Sequence, residues 1–84
     1  MASEILRAKR DDGRSARFLL EVVEQGDHWT STVARLDEHG IPESGQIAPR
    51  FYGLTREQAR RRMIAALEND WDDVEPEGRG VEQG

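Results

Sequence analysis

Two histidines, His28 and His39, are the side chains of this sequence suited to acid–base work near neutrality or to metal binding through nitrogen. His39 stands beside Asp37 and Glu38 in a run of turn residues, and ligand types at adjacent positions do not define a metal geometry. His28 follows the pair Gly26-Asp27, where a polar residue suits a turn. A catalytic carboxylate pair needs one member in a buried environment to split the two pKa values, and only Glu21 and Glu24 are placed for that. The absence of cysteine excludes disulfides, iron–sulfur clusters, thiolate zinc sites and cysteine nucleophiles. There is no Gly-x-Ser-x-Gly elbow and no glycine-rich phosphate loop. The expectation is a protein without catalysis, metal or cofactor.

Arginine offers a different chemistry. Of the 12 basic residues, Lys9 is the sole lysine. Arg56, Arg60, Arg61 and Arg62 lie close together in one segment, which reads as the first half of a helix. At about 100° per residue, Arg60 to Arg62 spread over about 200° of the circumference, so they cannot all face one ligand. Arg56 and Arg60 share a flank, while Arg61 and Arg62 project outward. Four cations near a helix N-terminus oppose the macrodipole, a placement that hints at use. With Arg50, and with Arg7, Lys9 and Arg10 near the N-terminus, they can offer phosphates an electrostatic surface. Tyr52 lies on the strand face opposite Phe51, where with Arg50 it can stack on bases or dock a protein. The candidate partner-binding set is therefore Arg50, Tyr52, Arg56, Arg60 and Arg61. Trp29 is expected to pack near Trp71 instead.

These side chains must be positioned by few elements. Residues 3–14 form a basic arm or a short extra strand, ending at Asp11-Asp12-Gly13. Arg17 to Gln25 alternates as a strand, with Phe18, Leu20 and Val22 on one face. Gly26-Asp27 predicts a two-residue hairpin turn into a second strand over 29–36. Partners then face each other as Leu20 with Val33, Val22 with Ser31, Glu24 with Trp29 and Phe18 with Arg35. Residues 37–45 are turn chemistry and read as a loop. Residues 46–52 can make a third strand, which Pro49 assigns to an edge or a bulge. Thr55 before Arg56-Glu57-Gln58 predicts a capping box, with Thr55 accepting from the Gln58 amide, the Gln58 side chain returning to the Thr55 amide, and Leu54 stapling onto Ala59. Ala59, Met63, Leu67 and Trp71 recur every four residues beside Ile64, so a helix is expected over 56–70 with this stripe as its core face.

The predicted fold class is α+β, a small two-layer β-β-β-α domain whose antiparallel sheet has one face covered by the C-terminal helix. The chain has 84 residues, with 17 acidic against 12 basic side chains and a formal net charge of -5. That charge is uneven: residues 1–67 hold 11 basic and 10 acidic side chains, while residues 68–84 hold one basic and seven acidic. Residues 15–72 are read as the single domain, 1–14 as the arm or extra strand, and 73–84 as an acidic disordered tail with little to bury. Such a tail can screen a basic surface of the same molecule until an acidic partner displaces it. A domain this small has a modest core, so a homodimer or a bound protein partner is expected to add stability. The longest apolar runs, Phe18-Leu19-Leu20 and Met63 to Leu67, are far too short for a membrane span. Met1-Ala2-Ser3-Glu4 runs into charge without an apolar h-region, so no secretory signal is read and a cytoplasmic location is expected.

The stretch Phe51-Tyr52-Gly53-Leu54-Thr55-Arg56-Glu57-Gln58-Ala59, followed by Met63-Ile64-Ala65-Ala66-Leu67, resembles the third-strand-to-helix segment of HicB-like antitoxin domains. With the preceding hairpin the resemblance covers residues 16–70. It implies a partial ribonuclease-H-like β-β-β-α fold that lacks catalytic residues and acts by binding a partner protein. The functional expectation is a small cytosolic interaction module, antitoxin-like or adaptor. The alternative is a nucleic-acid-binding accessory protein using Arg50, Arg56, Arg60, Arg61 and Arg62.

Overall fold

The computed structural model describes residues 2–43 and 49–77. Five strands, β1 (Ala2–Lys9), β2 (Ser15–Gln25), β3 (His28–Arg35), β4 (Arg50–Gly53) and β5 (Asp73–Pro76), form one sheet in the order β4-β3-β2-β1-β5. Every neighbouring pair is antiparallel. A single helix, α1 (Arg56–Glu68), connects β4 to β5. The chain is a small α+β domain.

The β2–β3 hairpin follows from its turn. Gly26 adopts φ +67°, a left-handed conformation that glycine reaches without a Cβ penalty. The turn fixes the register: Phe18 faces Arg35, Leu20 faces Val33, Val22 faces Ser31 and Glu24 faces Trp29, as the two-residue turn predicts. Phe18, Leu20, Val22 and Val33 are buried together with Ala59, Met63 and Leu67 of α1. The four-residue apolar spacing thus becomes the buried side of the helix. Phe51, Trp29, Ile64, Trp71 and Val74 pack around this core.

The helix N-terminus is capped with one change of partner. Thr55 Oγ1 accepts from the Gln58 amide at 3.1 Å, but Gln58 Oε1 accepts from the Leu54 amide at 2.6 Å, one residue earlier than the capping box implies. Leu54 is 78% exposed, so no staple onto Ala59 forms. The chain leaves Gly53 in tight contact with the first helical turn and swings the Leu54 side chain outward. At the other end the helix stops at Glu68 rather than residue 70, because the Asn69 amide turns back to the Ala66 and Leu67 carbonyls. Trp71 therefore lies beyond the helix. It meets the Phe18 ring edge-on at 6.1 Å, with the guanidinium groups of Arg10 and Arg35 over its own ring at 5.1 and 5.9 Å.

The strand boundaries and the strand count also differ from those expected. The third strand of the sequence reading is β4, which begins at Arg50; residues 46–48 lie outside the described residues. β4 sits at the sheet edge, directly after Pro49. The N-terminal segment takes the second of its two expected forms, the strand β1, and its fully buried Leu6 and Ala8 place it within the core rather than ahead of the domain. Residues 73–76, placed in an acidic tail by the sequence, form β5 instead. Val74 packs against the core, and backbone pairing with β1 satisfies polar groups that a free tail leaves to water. The element order is β-β-β-β-α-β, not β-β-β-α. The tail beyond residue 77 lies outside the described residues. No helix among the described residues is long and apolar enough to cross a membrane.

Candidate interaction surface

Strand alternation sorts the side chains of β4 between two sides of the sheet. Phe51 joins the core with α1, and a Cβ built on Gly53 lies 2.5 Å from the Ala59 nitrogen. Both residues therefore point toward the helix. Arg50 and Tyr52 point the other way and are exposed. The same parity runs through β3, where Ser31 donates to the Ala59 carbonyl while Thr30 and Thr32 face away from α1.

Register carries the pattern across the sheet. On the side away from α1, one row reads Ile5, Leu19, Ala34 and the next reads Ser3, Glu21, Thr32, Arg50. A third row reads Val23, Thr30, Tyr52. Tyr52 also meets the His28 ring edge-on at 5.4 Å, and its carbonyl accepts from Arg62 Nη1 at 2.8 Å. Arg50 has no hydrogen bond or ion pair among the described residues.

The helix arginines are arranged differently. Arg60 reaches across to Glu4 of β1, its Nε 2.5 Å from Oε1, and also approaches Glu57 at 3.6 Å. The hydrogen bond to Glu4 raises the Arg60 pKa above its ordinary value against the opposing effect of burial. Arg61 pairs with Glu57 at 3.1 Å. Arg56 lines a cleft of about 290 Å³ with Ser3, Glu4, Leu20, Val22, Glu57 and Arg60, on the helix-bearing side. The structure thus brings Arg50 and Tyr52 together and separates them from Arg56, Arg60 and Arg61.

A second charged cluster escapes the sequence reading. Glu77 engages Arg17 through a fork, with Nη2 to Oε1 at 2.8 Å and Nε to Oε2 at 3.2 Å, and Arg7 adds a contact at 3.0 Å. Hydrogen bonds from Arg17 and then Arg7 hold the Glu77 carboxyl below its ordinary pKa of 4.5. These groups border a cleft of about 750 Å³ that Arg35, Leu36, Asp37, Glu38, His39 and Glu43 also line. The partners lie 60 and 70 residues apart, and the one sequence signal for them is an acidic end opposite a basic beginning.

The histidines stay at the surface. His28 Nδ1 lies 3.1 Å from Asp27, and His39 Nε2 lies 3.5 Å from Glu38. Among the described residues no group of three histidine, aspartate or glutamate side chains is placed to hold a metal ion. No family model matches this chain, and no curated protein or solved structure matches it.

Proposed function

We propose that the chain is a small, two-layer, cytoplasmic interaction module without catalysis that binds a protein partner on the sheet face away from α1. An antitoxin-like or adaptor role fits the resemblance carried by residues 51–67. The observation that supports the reading is the pairing of exposed Tyr52 with Arg50, a cation that no carboxylate of the described residues neutralises. An amphipathic ring beside a free guanidinium is the composition that dominates protein interfaces. A continuous phosphate-binding surface is favoured less, because Arg60 and Arg61 are already paired and Arg56 lies on the other side of the sheet.

The test is co-purification of the tagged full chain from its native host, comparing wild type with Arg50→Glu, Tyr52→Ala and Arg56→Glu. Wild type and Arg56→Glu are expected to retain a stoichiometric polypeptide, either a host protein or an untagged copy of this chain. Arg50→Glu and Tyr52→Ala are expected to lose it. Retention by all variants, or no stoichiometric polypeptide at all, contradicts the reading. Salt-sensitive binding to generic RNA or DNA at about 50 mM salt, abolished by Arg56→Glu, favours the nucleic-acid alternative instead.

A further inference from the structure

The face that carries Arg50 and Tyr52 has an internal symmetry in its residue types. β3 runs through it as a central lane of small side chains, with Thr30 buried and Thr32 and Ala34 half-buried. On one side lies β4 with Arg50 and Tyr52, and on the other lies β2 with Glu21 and Val23 in the same two rows. Neighbouring lanes are about 4.8 Å apart, so Arg50 and Glu21 sit about 10 Å apart across Thr32, too far for direct pairing. Like Arg50, Glu21 has no ion pair among the described residues. Two opposite charges stand unpaired in one row with a small neutral residue between them.

We propose that the occupant of this face is a second copy of the chain, packed sheet against sheet about a two-fold axis that runs along β3. The inference rests on the partner-binding reading above and names the partner. Such an axis keeps the rows and exchanges the lanes. Arg50 then lies over Glu21 of the second copy, and Tyr52 over its Val23. Thr32 and Ala34 meet their own counterparts. Each contact occurs twice, as an isologous interface requires. Face-to-face sheets pack about 10 Å apart with strands nearly aligned, and the short side chains of β3 suit the line of closest approach.

The sheet edges are poorer candidates. The Tyr52 carbonyl of β4 is already taken by Arg62, and β5 presents Asp73 and Glu75 and closes on Pro76. Charge, proline and a capped carbonyl are the devices that keep edges from pairing with another strand. Self-complementary charge on the face and protection at both edges direct association to the face.

The test is the mass of the full-length chain in solution, followed by sedimentation across a concentration series, for wild type, Arg50→Glu, Glu21→Arg and the double variant. Wild type is expected to dimerise. Each single reversal sets like charges against each other across the interface and is expected to raise the dissociation constant at least tenfold, on the order of a close interfacial charge pair. The double variant restores the complementarity and is expected to return within about threefold of wild type. Arg56→Glu, on the opposite side, is expected to leave dimerisation unchanged. Circular dichroism confirms that each variant is folded, and the double variant supplies a rescue that a general loss of structure cannot produce.

A wild-type monomer at every concentration up to about 1 mM overturns the proposal, since that excludes even millimolar self-affinity. So does a dimer indifferent to both reversals, or a double variant that stays as weak as the singles. A monomer that captures a different host polypeptide, and loses it with Arg50→Glu, rejects the second copy while leaving the partner-binding reading intact. Failure of both experiments rejects both.

Discussion

The Ser31 hydroxyl, fully buried in β3, donates to the Ala59 carbonyl of α1 at 2.8 Å. It ties the sheet to the helix from within an apolar core, where an unpaired polar group is costly. Ser31→Ala removes the bond and leaves a small void. A loss of about 1–2 kcal/mol is expected, read as a lower midpoint in urea denaturation at unchanged slope. A loss below a few tenths of a kcal/mol contradicts the link.

Gly53 is required by proximity rather than by a special backbone angle. A Cβ there meets the Ala59 nitrogen at 2.5 Å and the Gln58 carbonyl carbon at 3.0 Å, both backbone atoms with no rotamer to move away. Gly53→Ala must push β4 from the first turn of α1, and destabilisation of about 1–3 kcal/mol is expected, as for other overpacked sites. Thermal unfolding measures it directly. Because β4 carries Arg50 and Tyr52, the same change is expected to weaken partner binding.

The helix entry separates a working cap from an idle staple. Thr55→Ala removes the acceptor of the Gln58 amide and is expected to cost about 1 kcal/mol. Leu54→Ala alters a side chain that is 78% exposed and is expected to stay within about 0.5 kcal/mol of wild type. Met63→Ala, at a fully buried position, is expected to cost about 2–5 kcal/mol. Urea titrations should show the largest loss for Met63→Ala, a smaller one for Thr55→Ala and the smallest for Leu54→Ala.

Glu77 makes stability depend on acid. Arg17 and Arg7 lower its pKa in the folded chain below the ordinary 4.5 of the unfolded one. The unfolded state therefore takes up the proton first as pH falls. The stabilisation is complete above pH 4.5 and is lost as pH drops below it toward the folded-state value. Asp12, lowered by Arg14, and Asp27, lowered by His28, act with the same sign. Glu77→Gln is expected to flatten the acid limb of a stability–pH curve while leaving those two contributions, and added salt is expected to flatten the wild-type limb too, because the pairs are open to solvent. An unchanged acid limb in Glu77→Gln contradicts this role of its contacts with Arg17 and Arg7.

What could be read along the chain was local. Gly26-Asp27 specified a register over eight residue pairs, and Thr55 with the Ala59–Met63–Leu67 spacing specified the helix start and its buried side. What escaped was decided by distant partners. β1 looked ambiguous because Arg7 and Lys9 alternate with Leu6 and Ala8, and only the β2 edge makes that alternation a buried strand. β5 looked like tail because four of residues 72–77 are acidic, and its order comes from the β1 edge, Val74 and the Arg7–Arg17 pair. The candidate site was half legible. Alternation placed Arg50 and Tyr52 on one face, but nothing along the helix shows that Glu4, 56 residues away, claims Arg60. Glu21 was readable as a strand carboxylate, and its relation to Arg50 emerges only when β2, β3 and β4 are set side by side.

The most direct measurement is the set of backbone amide shifts of the 15N-labelled full chain, followed on dilution from about 1 mM to about 10 µM, a range spanning weak to moderate self-affinity. Concentration-dependent shifts centred on Thr30, Thr32, Glu21, Val23, Arg50 and Tyr52, with Arg56 and Arg61 still, are the expected result. Shifts centred on the exposed side of α1 or on β5, or a spectrum that does not change, contradict association through the sheet face.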